Sequence, residues 1–181
     1  MILNEEQLIE GCIRKKRRAR KELFERYRKR MLGVCLRYSS SKDEAEDIML
    51  TGFLNIFNKI ETYDNKGSFE GWIRRIMVNT AIDNYRKNKK HYSHTDIETL
   101  DTEEIPSMVT DFFDNLSTQD ILAMVQQLPT GYRMVFNLFA IEGYNHGEIA
   151  EMLGISANTS KTQLHKARMM LQKRLKEKMS D

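Results

Sequence analysis

The side chains best suited to chemistry lie near the C-terminal end of the chain. Asn158, Lys161, Thr162, His165, Lys166 and Arg168 recur at helical intervals, so one helix would carry them outward together. Amides and hydroxyls of this kind read base edges, and lysines and arginines hold phosphates. The intervening positions Ser160, Leu164, Ala167, Leu171 and Leu175 form an inward stripe. Upstream, a short helix starting near Gly147 places Ile149, Ala150 and Leu153 inward. Gly154 supplies the positive φ that ends a helix, Ile155 anchors the turn, and Ser156 caps the next helix. Ala150 is small enough for two helices to cross closely. This is the grammar of a DNA-binding helix-turn-helix. An ordinary helical hairpin with a solvated basic face competes. The spacing of Glu148-Ile149-Ala150 and Leu153-Gly154-Ile155-Ser156 favours DNA binding.

Other chemistries lack their residues. The sequence has no Gly-rich phosphate loop, no GxSxG and no HExxH. Its carboxylate pairs fall at helix starts or in linkers. Cys12 and Cys35 have no CxxC partner, so two reduced thiols are expected. His91, His94 and Asp96 do not make up a plausible metal set. No catalytic residue, metal or cofactor is expected, and a nucleic-acid-processing enzyme is the weakest reading.

The elements that must carry this site follow from composition. The chain has 181 residues, with 29 Lys+Arg, 26 Asp+Glu and a net charge of +3. That total conceals three blocks: residues 1–90 carry +8, 91–120 carry −8 with no Lys or Arg, and 121–181 carry +3. Such asymmetry points to polyanion binding around an acidic spacer. Two prolines and nine glycines among abundant Leu, Met, Lys, Arg and Glu favour helix. No apolar run approaches the ~20 residues that span a bilayer. The start, Met1-Ile2-Leu3-Asn4-Glu5-Glu6, lacks signal-peptide character. A cytoplasmic protein without membrane insertion is expected. The fold class is all-α. Two small helical domains, 1–90 and 120–181, are joined by an acidic linker, 91–119. The C-terminal one is a four-helix domain with the helix-turn-helix.

In the first domain, residues 5–38 read as helical, with two apolar stripes either side of the basic run Arg14–Lys21. That run is either a solvated face or a polyanion contact. Ser41 suits an N-cap with Glu44 closing a capping box. The next helix buries Ala45, Ile48, Met49, Gly52, Phe53, Ile56, Phe57 and Ile60. Its first turns carry Asp43, Glu44, Glu46 and Asp47, which the helix dipole alone would favour. Thr62–Ser68 is a loop. A long helix from Phe69 to Lys87 follows, with Phe69, Ile73, Ile76, Met77 and Ala81 inward. Trp72 reads as packing between helices in preference to stacking on a base. A helix from Thr118 to Gln127 ends at Leu128-Pro129, and another runs from Tyr132 to Ile141.

Three motifs in order carry a resemblance. They are Glu44-Ala45-Glu46-Asp47-Ile48 leading to Phe53-Leu54-Asn55-Ile56-Phe57, the stretch Phe69–Arg86, and Leu128-Pro129 with Tyr132-Arg133-Met134-Val135-Phe136 before the helix-turn-helix. From about residue 20 to 178 the chain resembles bacterial extracytoplasmic-function (ECF) sigma factors, the promoter-recognition subunits of RNA polymerase. The resemblance implies that Asp43, Glu44, Glu46, Asp47 and Phe53 face core RNA polymerase, at its β′ clamp, with further contact to the β flap. It implies that Tyr63, Asn65, Lys66 and Ser68 form a pocket for a −10 base, beside Arg75, Asn79, Asp83 and Arg86. It implies −35 reading by Ser156, Asn158, Lys161, Thr162, His165 and Lys166, and an acidic linker threading through the polymerase. Promoter DNA, core polymerase and an anti-sigma factor are the implied partners. The chain departs from the family at Leu50 and Thr51, usually Gln and an acid, and at Gly52, usually β-branched. A stand-alone helix-turn-helix regulator is the alternative reading.

Overall fold

The computed structural model describes residues 3–92 and 118–180, and the residues described are helical with turns and no strand. Residues 93–117 of the expected linker 91–119, His94 and Asp96 among them, lie outside the described residues, while the two ends of that span fall within helices. The helices are α1 (Glu5–Ile13), α2 (Arg17–Tyr38), α3 (Lys42–Lys59), α4 (Phe69–Tyr92), α5 (Thr118–Gln126), α6 (Thr130–Phe136), α7 (His146–Leu153) and α8 (Ala157–Ser180). A 3-10 turn, Ile60–Thr62, follows α3, and a π-helical stretch, Asn137–Ile141, continues α6. Two compact units result: Met1–Leu36 with Ser41–Asn84, and Arg37–Ser40 with Tyr85–Asp181.

In the first unit, α2, α3 and α4 close over Leu23, Met31, Ile48, Ile56, Ile73 and Met77, all buried. The expected single helical stretch over 5–38 is two helices. Lys15 takes a left-handed φ of 55° and breaks the run inside Arg14–Lys21. The reason is packing: a Cβ on Gly11 would stand 2.6 Å from the Ala19 Cβ, so α1 folds back tightly on the start of α2. Asn4 opens α1 with a reciprocal capping box to Gln7. Ser41 caps α3 by accepting from the Glu44 amide (3.1 Å), as expected. The returning half of that box is diverted, because the Glu44 carboxylate takes a hydrogen bond from the Asn84 side chain (3.1 Å).

In the second unit α6 and α7 pack against α8, and Met134, Leu138, Ile149, Leu153, Leu164, Ala167 and Leu171 fill the core. Arg174 donates to the Met124 and Gln127 carbonyls at the end of α5 (both 3.2 Å). The expected helix Tyr132–Ile141 is not uniformly α. Beyond Phe136 the turn widens, with Glu142 N–H bonded to the Asn137 carbonyl at 3.0 Å. The buried Asn137 side chain donates to the Arg133 carbonyl (2.9 Å), and such competition with the helical ladder accompanies a wide turn.

Candidate nucleic-acid interface

The turn between α7 and α8 is fixed at both ends. The Asn145 side chain accepts from the amides of Gly147 (2.9 Å) and Glu148 (3.0 Å), and the Glu148 carboxylate returns to the Asn145 amide (2.8 Å). Gly154 sits at φ 63°, ψ 46°, where a side chain is strained, and Ile155 N–H bonds the Ala150 carbonyl at 3.1 Å. Ser156 caps α8 through the Thr159 amide (2.9 Å). The inward stripe falls as the spacing predicts, with Ser160, Leu164, Ala167, Leu171 and Leu175 all buried.

Opposite that stripe Ser156, Asn158, Lys161 and Thr162 are exposed, and His165 and Lys166 are half-buried. The Thr162 hydroxyl donates to the Asn158 carbonyl (3.0 Å), which fixes its rotamer and leaves its oxygen an acceptor. Lys161, next to Thr162 in the chain, supplies positive charge. Arg168 departs from the outward set, since its guanidinium lies over the Phe139 ring at 5.7 Å.

Sequence reasoning missed what holds α8 to α7. The His146 ring stacks on Phe139 at 4.7 Å, and its Nδ1 stands 2.9 Å from the Oγ of the fully buried Ser160. Burial, reinforced by the Lys161 and Arg168 charges, pulls the His146 pKa below its ordinary 6.5. The available signal was a serine at a stripe position otherwise held by Leu and Ala.

The first unit brings its own set together. Tyr63–Ser68 is a loop tied by its own polar contacts. Tyr63 hydroxyl donates to the Gly67 carbonyl (2.9 Å), and Asp64 accepts from the Lys66 amide (3.1 Å) and pairs with its ammonium (3.2 Å). Those Lys66 bonds hold the Asp64 carboxyl below its usual range. Asn65 and Gly67 both take positive φ, 59° and 90°. Ser68 caps α4 through the Gly71 amide (3.0 Å). Asn65, Lys66 and Ser68 are exposed, while Tyr63 is half-buried among aromatics. Its ring lies 5.0 Å from Phe69 and 5.5 Å from Trp72, and Phe69 stacks on Trp72 at 5.8 Å. Trp72 is therefore half core and half surface, and it buttresses the loop. Along α4, Arg75, Asn79 and Asp83 are exposed at helical spacing, whereas Arg86, also exposed, belongs to the second unit, where its guanidinium donates to the Glu151 carbonyl (2.8 Å).

The acid-led helix α3 divides its side chains. Asp43 and Asp47 are exposed, while Glu44 and Glu46 are half-buried. Phe53 corrects the expectation of a surface role: it is 2% exposed, its ring edge-on to Phe24 at 4.8 Å. The exposed apolar residues of α3 are instead Leu50 (50%) and Leu54 (63%). Leu50 borders a cleft of about 270 Å³ between α2 and α3, with Phe24, Leu32, Met49, Arg28, Lys29 and Glu46 around it. Gly52 belongs to the core, because a Cβ there would meet Met77 Sδ at 2.3 Å.

The sequence matches the family models Sigma-70 region 2 over residues 23–91 and Sigma-70, region 4 over residues 118–171. It is 29% identical to the ECF RNA polymerase sigma factor SigW of Bacillus subtilis, over 86% of this chain and 88% of that one. It is 31% identical to the RNA polymerase sigma factor SigV of the same organism, over 74% and 77%. In fold it resembles the sigma factor RpoE solved with the anti-sigma factor NepR from Bartonella quintana, with a TM-score of 0.50 at 20% identity, covering 86% and 96%. With its loop-and-helix surface in one region and its helix-turn-helix in the other, the chain belongs to the ECF RNA polymerase sigma factors.

Proposed function

We propose that α8 reads the −35 element and that the Tyr63–Ser68 loop with α4 reads the −10 element, while α3 docks core polymerase. The carrying observation is the helix-turn-helix. Its caps, left-handed glycine and buried stripe leave Asn158, Lys161 and Thr162 exposed on one helix. A helix presenting such side chains enters a major groove, with cations on phosphates and polar groups on base edges. The −10 loop, pinned by internal bonds, supports capture of an unstacked base beside its aromatic wall. The acids Asp43 and Asp47 offer charge, and Leu50 and Leu54 apolar area, for the polymerase clamp. Polymerase supplies the chemistry and this chain the recognition, in the cytoplasm. No helix among the described residues is long and apolar enough to cross a membrane. An anti-sigma factor, as in the RpoE complex, would act by covering these surfaces. The test is reconstitution with core polymerase on a promoter library, with the retained DNA sequenced. Enrichment of a two-element promoter and a transcript starting from it is the expected result. No binding to core at low salt refutes the docking assignment, and core-independent duplex binding would make the chain a stand-alone regulator.

A further inference from the structure

The −35 reading does not use one feature of the second unit, the polar contact that joins α7 to α8. Ser160 lies within the stripe that otherwise holds Leu164, Ala167, Leu171 and Leu175, and it is 0% exposed. A buried hydroxyl without a partner costs stability, so its bond to His146 Nδ1 (2.9 Å) is worth keeping. His146 is the first residue of α7, and Ser160 belongs to the first turn of α8. The bond therefore spans the two helices of the helix-turn-helix at the end that meets DNA. Asn158, Lys161 and Thr162 lie within two residues of Ser160. The ring is also held by its stack on Phe139, and the same Phe139 ring carries the Arg168 guanidinium. Movement of the imidazole would disturb both supports of the recognition helix.

We propose that His146, through its bond to Ser160, is a positioning residue for −35 recognition, and that this role requires the imidazole to be uncharged. The surroundings of the ring support it. From α8, Lys161 and Arg168 act on the ring, and both are cationic. The π-helical stretch Asn137–Ile141 carries no titratable side chain. On α7 itself, Glu148 is engaged by the Asn145 amide and Glu151 is exposed. The N-terminal end of α7 adds positive partial charge. A proton on the ring thus meets positive charge on several sides. It would also force the Ser160 hydroxyl to reverse from donor to acceptor at Nδ1 if the neutral ring presents a lone pair there. The relaxation open to the pair is separation, with α8 shifting against α7.

Plain electrostatics would predict the reverse, since an added positive charge near α8 should strengthen contact with phosphate. The sign of the pH effect therefore separates the two. The inference rests on the −35 reading. The experiment measures, with reconstituted holoenzyme, binding to a promoter and to the same DNA with its −35 element scrambled, at pH 7.5, 6.5 and 5.5. The ratio of the two affinities should fall roughly fivefold toward pH 5.5, the weight of one net hydrogen bond. His146→Gln should flatten that profile. Ser160→Ala, which creates no steric conflict, should give the low ratio at every pH. His165→Gln, which removes the other histidine of the helix-turn-helix, should retain the pH dependence whatever its own effect on preference. A wild-type ratio that holds or rises on acidification overturns the inference and leaves the −35 reading standing. So does an acid loss as large in His146→Gln as in wild type. A wild-type holoenzyme without −35 preference at any pH refutes both.

Discussion

Gly52→Ala is the sharpest probe of the first unit, because it sets two opposed terms against each other. In an open helical position, Ala in place of Gly is worth ~1 kcal/mol of stability. Here the new methyl would stand 2.3 Å from Met77 Sδ and 3.1 Å from its Cε. Met77 is 0% exposed, so its thioether must find another rotamer inside a filled core. Methionine is adaptable, but forced repacking of a core costs about 1–3 kcal/mol. The net effect is expected between nothing and a loss of about 2 kcal/mol, with none of the usual gain. Met77→Ala alone should cost about 2–5 kcal/mol through the cavity it leaves. Combined, the two changes should cost less than their sum by about 1–3 kcal/mol, since the added methyl then occupies vacated space. Trp72 is the single tryptophan of the chain and sits in this unit, so its fluorescence in urea follows this transition selectively. A full ~1 kcal/mol of stabilisation by Gly52→Ala, or additivity within about 0.5 kcal/mol, would show that α3 and α4 do not approach so closely.

Three further outcomes are expected. Lys161→Ala should weaken all promoter binding and lower its salt dependence, whereas His165 substitutions should change preference at one −35 position by about 1–3 kcal/mol. Binding selections on randomised −35 DNA would separate these, and equal His165 effects on every sequence would assign that side chain to the backbone. Gly154→Ala should destabilise the second unit by about 1–2 kcal/mol, because a side chain is placed at φ 63°, and a change below about 0.3 kcal/mol in thermal melts would contradict that backbone. Cys12 should resist thiol reagents in the folded protein, since burial pushes its thiol from 9.0 up to about 11 against the weaker pull of Arg20. A neutral thiol favoured by folding contributes stability that is full below pH 9.0 and is lost as pH rises through about 11. Rapid labelling of Cys12 at pH 7.5 without unfolding would refute its burial.

The helices of both units were legible because their apolar positions recur at threes and fours over long stretches. Helix α8 was the clearest case: its buried stripe, the glycine before it and its serine cap all fall where the spacing puts them. The break at Lys15 was not legible, because nothing in Arg14–Lys21 is a helix breaker. It depends on Gly11 meeting Ala19, a contact between residues that periodicity treats as parts of one face. The Phe53 error had the opposite origin. A motif pattern placed it at a surface, while its helical phase with Met49 and Ile56 already pointed to the core. The departure at Gly52 was visible in the sequence as a missing β-branched residue, but its meaning lies in Met77, on a different helix.

The contacts that escaped reading share a property: each is made by a polar side chain that is buried. Arg133 is 2% exposed and donates to the Gln126 carbonyl (2.8 Å), serving the end of α5. Thr80 donates to the Ile76 carbonyl (2.8 Å) and accepts from Asn55 (3.1 Å). Asn137 and Ser160 are 0% exposed. A sequence pattern sorts side chains by hydropathy, so it gives Arg133 and Asn137 no place in the core, and for Ser160, which its spacing does turn inward, it leaves the partner unnamed. Burial reverses their meaning, because each must then bond a specific group or cost the fold its desolvation. In this sigma factor those bonds connect elements that hydrophobic packing alone would let slide: α5 to α6, α3 to α4, and α7 to α8. Apolar periodicity decides that helices form and which face they bury. The buried polar pairs decide how one helix is set against the next, and in the helix-turn-helix that setting determines where Asn158, Lys161 and Thr162 point.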